Sequence, residues 1–299
     1  MSICQHSRIP LLSAIAMTLL IATACGGGGG IDVGSGGTGI SGSVVKGPAA
    51  NATVVAYAVS AGQPGTQIGS AATDANGNFT MTLASYNGPV MIQASAGTFR
   101  DEATGALMTM ASGDVMTAVL PSVAAGTTIG GIQVTPVTSM AQTRAQQMTG
   151  GMTESNVAAA NAAMGNYFSV GDILHVQPMN PLVPGSGSAA SPDARNYGIT
   201  LAAMSQYAKS LNMANTSALV TSMMSDASDG MMDGRKGASS ISMSMGGMMG
   251  TSMMAPTAGT SGLATAMTNF VMSPANMSGL TATDVAPLVQ KVSSSSGKI

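Results

Sequence analysis

Residues 73–83 read Thr73-Asp74-Ala75-Asn76-Gly77-Asn78-Phe79-Thr80-Met81-Thr82-Leu83, and this stretch decides the fold. Phe79, Met81 and Leu83 alternate with Thr80 and Thr82, the period of a strand with one buried face. Residues 74–78 are turn formers. An aspartate closes an Asx turn, and Asn and Gly tolerate positive φ, so the five together make a hairpin loop. Outward from here, short apolar runs at 43–46, 52–59, 70–73, 90–94, 116–120 and 129–134 are separated by turn residues at 47–48, 62–65 and 87–89. Val90, Ile92 and Ala94 repeat the alternation. Several short strands at this spacing predict a β-sandwich over residues 40–135.

Three segments carry a family likeness: Gly42-Ser43-Val44-Val45-Lys46-Gly47-Pro48, then Ala52-Thr53-Val54-Val55-Ala56-Tyr57, then Thr73-Asp74-Ala75-Asn76-Gly77-Asn78-Phe79. Together they resemble the carboxypeptidase regulatory-like (transthyretin-like) β-sandwich, which shows a G-x-V strand, a G-A-x-V strand and a T-D-x-x-G-x-F hairpin. The resemblance covers residues 40–98, with Asn51-Ala52 standing where Gly-Ala is common. It implies a non-catalytic accessory module of an exported protein and carries over no peptidase chemistry.

From Pro136 the apolar period changes to that of helices. Val137, Met140, Ala141, Ala145 and Met148 share one face. Thr153 caps a helix reaching Phe168, with Val157, Ala160 and Met164 on its stripe, and Ser191 followed by Pro192 is a strong start signal for another. Shorter helices are predicted over 216–225, 261–272 and 283–292, with Pro287 in the first turn of the last or kinking it. Residues 176–190 read as a proline-rich loop and 293–299 as a disordered tail. The whole predicts an α+β chain: an N-terminal transthyretin-like β-sandwich over 40–135, then a small C-terminal helical domain over 136–292 with a Met-rich loop at 223–254.

The first residues concern address. Arg8 precedes an apolar run at 9–24, shorter than the about 20 residues a spanning helix needs. The run ends in small residues before Cys25, which makes 1–24 a secretory signal peptide. Ala22-Thr23-Ala24-Cys25 resembles the lipobox of bacterial lipoproteins, although Ala22 stands where Leu is commoner. That resemblance implies lipidation of Cys25, with diacylation of the thiol, cleavage before it and acylation of the new amino group, and three acyl chains are a firm anchor. Gly26 in place of Asp implies the outer membrane, with the folded part periplasmic or surface-exposed. Residues 25–39 are then the lipidated cysteine and a Gly-rich linker, whose fourteen residues after Cys25 span about 20 Å at roughly 5–6 Å times the root of the length. Cys4 leaves with the signal, so no disulfide or Cys-ligated metal is expected.

Composition narrows the functions. Charged residues are 7% of the chain and the net charge is −2, with no basic stripe, so nucleic acid is not an expected partner. His175, the sole histidine beyond Cys25, sits between Leu174 and Val176 before a proline loop and reads as structural, because a catalytic base needs a constellation. Glu102 and Glu154 are the two glutamates, and no carboxylate pair is placed by spacing. Asp226, Asp229 and Asp233 before Gly234 are spaced somewhat like a calcium loop, but Met231 and Ser240 occupy ligand positions, so a solvated turn is the expectation.

Methionine is the unusual signal, with 27 in the chain. Thioethers are soft ligands that select Cu(I). Met243, Met245, Met248 and Met249 resemble the methionine motifs of extracytoplasmic copper proteins, which implies a Cu(I) or Ag(I) site on a Gly/Ser loop. The competing account is that methionine replaces leucine as adaptable core filler, since Met81, Met140, Met164 and Met204 fall at core positions. The expectation is therefore a membrane-anchored, non-enzymatic interaction or structural module of the cell envelope with no cofactor and an envelope protein or glycan as partner. A periplasmic Cu(I)/Ag(I) binder and an envelope hydrolase acting through Asp residues are the alternatives.

Overall fold

The computed structural model describes residues 37–246 and 250–299. Cys25, most of the linker, Met248 and Met249 lie outside the described residues. The first part of the chain is β: β1 (Thr38–Val44), β2 (Thr53–Ser60), β3 (Gln63–Ala72), β4 (Asn78–Leu83), β5 (Gly88–Ser95), β6 (Thr98–Arg100), β7 (Leu107–Thr109), β8 (Val115–Val123) and β9 (Thr128–Val134). A four-stranded antiparallel sheet runs β3-β2-β5-β8, a three-stranded sheet runs β4-β1-β9, and β6 and β7 form a small hairpin. Within the three-stranded sheet β1 pairs antiparallel with β4 and parallel with β9, with an irregularity between Ile40 and Gly42. Gly42 is required there because a Cβ would stand 2.0 Å from the Ile132 carbonyl oxygen of the neighbouring strand.

The two sheets share one apolar core, with Ile40, Val44, Phe79, Leu83 and Ile132 from one and Val54, Ile92, Ala94 and Leu120 from the other. The opposite face of the four-stranded sheet is covered as well, by Val59, Met91 and Val119 meeting Ala145, Met152, Val157 and Ala160. Cover on both faces explains why β8 is buried almost continuously instead of alternating. By contrast, β4 has one buried face and follows the expected alternation at every residue.

The second part is largely helical: α1 (Pro136–Gln147), α2 (Glu154–Tyr167), α3 (Ser186–Ala189), α4 (Pro192–Ser210), α5 (Thr216–Ala227), α6 (Leu263–Val271) and α7 (Ala282–Ser293). Caps set the starts. Thr135 forms a capping box with Thr138 ahead of Pro136, Thr153 accepts from the Asn156 N–H, and Ser191 accepts from the Ala194 N–H ahead of Pro192. Two hairpins, β10 (Arg235–Lys236) with β11 (Ser239–Ser240) and β12 (Ser242–Ser244) with β13 (Thr251–Met253), stand between α5 and α6. The helices enclose a second core that includes Met140, Met164, Phe168, Leu201, Met204, Leu219, Met267, Phe270 and Leu288. The described residues all belong to one compact unit, Gly34–Ile299.

Several sequence expectations are corrected. β1 begins at Thr38, so Thr38 and Gly39, expected in the linker, are strand residues, tied by Thr38 Oγ1 to the Ala124 carbonyl and by the Gly39 N–H to the Thr127 carbonyl. β3 spans ten residues where only 70–73 were expected. Its turn is the pair Ala61-Gly62, with φ of 49° and 73°, the two left-handed residues of a tight hairpin. β6 and β7 were not foreseen, and the 176–190 loop contains α3. The π-turn at Ala258–Gly262 leads into α6. Pro287 lies inside α7, beyond its first turn. The disordered tail expected over 293–299 is also corrected: the Met232 N–H bonds the Gly297 carbonyl at 2.8 Å, the Ile299 N–H bonds the Gly230 carbonyl at 3.0 Å, and Gly297 is buried.

Candidate functional site

The most concentrated buried chemistry lies where the sheets meet α4 and α5. Beyond β1 the chain turns through Gly47, bridging Val45 to Pro48, and this turn sends Lys46 inward. After β6 a second turn is organised by Asp101, whose Oδ1 accepts from the Ala103 and Thr104 N–H groups and the Thr104 hydroxyl. That turn places Glu102 opposite Lys46, and α4 supplies Ser205. Lys46, Glu102, Ser205 and Asp101 are each exposed by 2% or less.

Lys46 Nζ uses all three of its donors: on Glu102 Oε2 at 2.5 Å, on Ser205 Oγ at 2.5 Å and on the Leu201 carbonyl at 3.3 Å. Ser205 Oγ donates in turn to Glu102 Oε2 at 2.6 Å. Thr216 at the start of α5 donates to Asp101 Oδ2 at 2.6 Å. Burial pushes the Asp101 carboxyl up, but the Lys46 charge and the hydroxyls of Thr216 and Thr104 outweigh it and hold this carboxyl below its ordinary value. Lys209 adds a second cation to the group through the Ala103 carbonyl at 3.0 Å. Desolvating an ion pair offsets most of its Coulomb gain, so the chief effect is positional: the Lys46 and Glu102 turns are tied to α4, and Asp101 to α5. Ser205 has a lysine and a carboxylate as neighbours, the company of an activated nucleophile. Its oxygen is enclosed, however, with its proton committed to Glu102 and one lone pair to Lys46.

A cleft of about 60 Å³ lies against this group. One wall comes from the turns around Ser43, Pro48, Asn76 and Glu102, the other from residues 177–181 and the Gly198–Leu201 face of α4. Glu102 is the one carboxylate among its lining residues, whereas a glycosidase needs two flanking the scissile bond.

The residues singled out in the sequence fall elsewhere. Met243 and Met245 are 2% and 8% exposed and belong to the helical core, together with Met223, Met232 and Met254. Met253 on β13 is 66% exposed. His175 Nδ1 lies 2.7 Å from Asp172 Oδ2 on an exposed turn, and Asp172 Oδ1 accepts from the Leu174 and His175 N–H groups. The carboxylates of the 226–237 loop serve its backbone: Asp229 accepts from the Met231 and Gly237 N–H groups and Asp233 from that of Arg235. Among the described residues no group of three or more His, Cys, Asp or Glu is arranged to hold a metal. Asp226 is fully enclosed, its Oδ1 accepting from the N–H groups of Asp233, Gly234 and Arg235 and its Oδ2 without a partner. Burial pushes its carboxyl up to about 7 against those three bonds.

Sequence reasoning missed the Lys46 group because Lys46, Glu102 and Ser205 are 56 to 159 positions apart. The available signal was Lys46 itself, a charge continuing the apolar run Val44-Val45 in a chain with only 7% charged residues.

Among the described residues no helix is long and apolar enough to cross a membrane. No protein-family model and no curated protein matches the chain. Among solved structures, a 9R-lipoxygenase from Cyanothece PCC8801 is similar at 16% identity over 32% of this chain and 16% of that one, with a TM-score of 0.21. A likeness at that score carries no argument about fold or activity.

Proposed function

We propose that this chain is an exported lipoprotein moored by acyl chains on Cys25, and that it serves the outer membrane of the cell envelope as a non-catalytic interaction or structural module. The observation that carries the reading is the position of Cys25, between an apolar run and a twelve-residue, glycine-dominated tether that leads to β1 at Thr38. In this reading the two sheets sharing one core are a transthyretin-like sandwich. The helices form the following domain, clamped to it by the Lys46 group, and Met243 and Met245 are core filler.

The test is metabolic labelling with an alkyne-tagged palmitate, followed by fractionation of cells making the natural chain or Cys25→Ser. The natural chain is expected in the membrane fraction with label, and Cys25→Ser without label at the mass of the uncleaved precursor. An unlabelled natural chain in the cytosol would overturn the proposal.

A further inference from the structure

The cleft beside the Lys46 group holds a carboxylate with one oxygen uncommitted. Both bonds to Glu102 fall on Oε2, while Oε1 has no hydrogen-bond partner among the described residues, and Glu102 lines the cleft. Both walls carry amides with uncommitted donors, Asn76 beside Glu102 and Gln177 and Asn180 across from it. Asn180 accepts a bond at Oδ1 from the Leu182 N–H and has Nδ2 free, and the side chains of Asn76 and Gln177 make no protein hydrogen bond. A 60 Å³ space exceeds the roughly 10–15 Å³ that one water needs, so it admits a group larger than a single water.

Chemistry selects the occupant. A carboxylate oxygen only accepts and an amide NH₂ only donates, so a group that bonds both must donate and accept, as a hydroxyl does. Charge narrows it further: the cations of Lys46 and Lys209 balance the anions of Glu102 and Asp101, so no net charge remains to attract an ion. The apolar side is formed by Leu201, Pro178 and Met179, which suits the C–H face of a sugar ring better than a second polar surface.

We infer that this cleft, between the β-sheets and α4, is a binding site for the hydroxyl-bearing edge of a neutral saccharide. Glu102 Oε1 accepts from one hydroxyl, and Asn76, Gln177 and Asn180 donate to the same or the neighbouring one. The inference stands on the cleft alone and is independent of the anchor at Cys25.

The test is titration of the purified full-length chain with glucose, N-acetylglucosamine and maltose, followed by calorimetry and by NMR of the side-chain amides. At least one sugar is expected to bind saturably and to shift the amide signals of Asn76, Gln177 and Asn180. Gln177→Ala and Asn76→Ala, both at exposed rim positions that leave the core intact, are each expected to weaken it about fivefold to tenfold. Lys236→Ala on the remote β10 hairpin is expected to leave it unchanged. Three outcomes overturn the inference: no saturable binding of any of the three sugars, binding that survives the Gln177→Ala/Asn76→Ala double variant, or preferential binding of methylammonium chloride. Should the double variant fold poorly, amide shifts in the natural chain that map away from the three side chains overturn it equally.

Discussion

Asp226 and Lys46 are both buried charges, and they behave oppositely. Lys46 has every proton bonded, whereas Asp226 has three backbone donors on one oxygen and none on the other. For Asp226 the folded-state value, about 7, lies above the ordinary 3.8, so the folded protein binds the extra proton between those values. Stability from this group therefore grows as pH falls through 7 and is lost as pH rises, the reverse of a salt-bridged aspartate. Natural protein is expected to gain on the order of 3 kcal/mol from this group between pH 8 and pH 4, and Asp226→Asn to flatten that part of the profile. Urea titrations at several pH values check this, and identical profiles for the two proteins would contradict it. Lys46→Met strands Glu102 as an unpaired buried charge and is expected to cost about 3–5 kcal/mol. Lys46→Met combined with Glu102→Leu removes both charges and is expected to recover most of that loss. A double variant as unstable as the sum of its singles would show that the two side chains do not act as a pair.

At the level of elements, the β2–β3 turn shows how a hairpin is pinned to helices. Gly62 has φ of 73°, its carbonyl accepts from the Met152 N–H at 2.8 Å, and a Cβ there would stand 2.0 Å from the Gly150 carbonyl oxygen. Gly62→Ala meets both the left-handed penalty and a backbone clash, and is expected to cost about 2–4 kcal/mol in denaturant melts. Gly105→Ala, also at positive φ but with open space around it, should cost only the conformational part, about 1–2 kcal/mol. Equal losses would remove the clash from the account.

Legibility in the sequence followed the same division into local and distant. β4 and the helix starts at Thr153 and Ser191 were readable because period and cap are local signals. β3 was not, because Gln63–Ala72 is exposed over most of its length and has no buried stripe to print a period. The docked tail escaped notice because its partners at 230–232 lie more than sixty residues away along the chain. The cleft and the Lys46 group depend wholly on such distant pairings. Glu102 was visible only as one of two glutamates, and Ser205 as one more polar residue on a helix.

Across the whole molecule, three apolar clusters share borders. Leu174, from the helical half of the chain, sits in the core between the sheets, and Val45, from the β half, packs on the helical core. α1 and α2 cover the outer face of the four-stranded sheet. Residues 38–299 are therefore expected to unfold as one cooperative unit, with calorimetric and van't Hoff enthalpies in agreement. Two resolved transitions would mean that the sheets and the helices are separately stable. The central claim concerns address, and the most direct measurement is the mass of the N-terminal tryptic peptide from membrane-extracted protein. The account predicts a peptide covering residues 25–46 that begins at Cys25 and carries the mass of a glyceryl group with its acyl chains. A peptide with an unmodified Cys25 joined to Ala24 would contradict it.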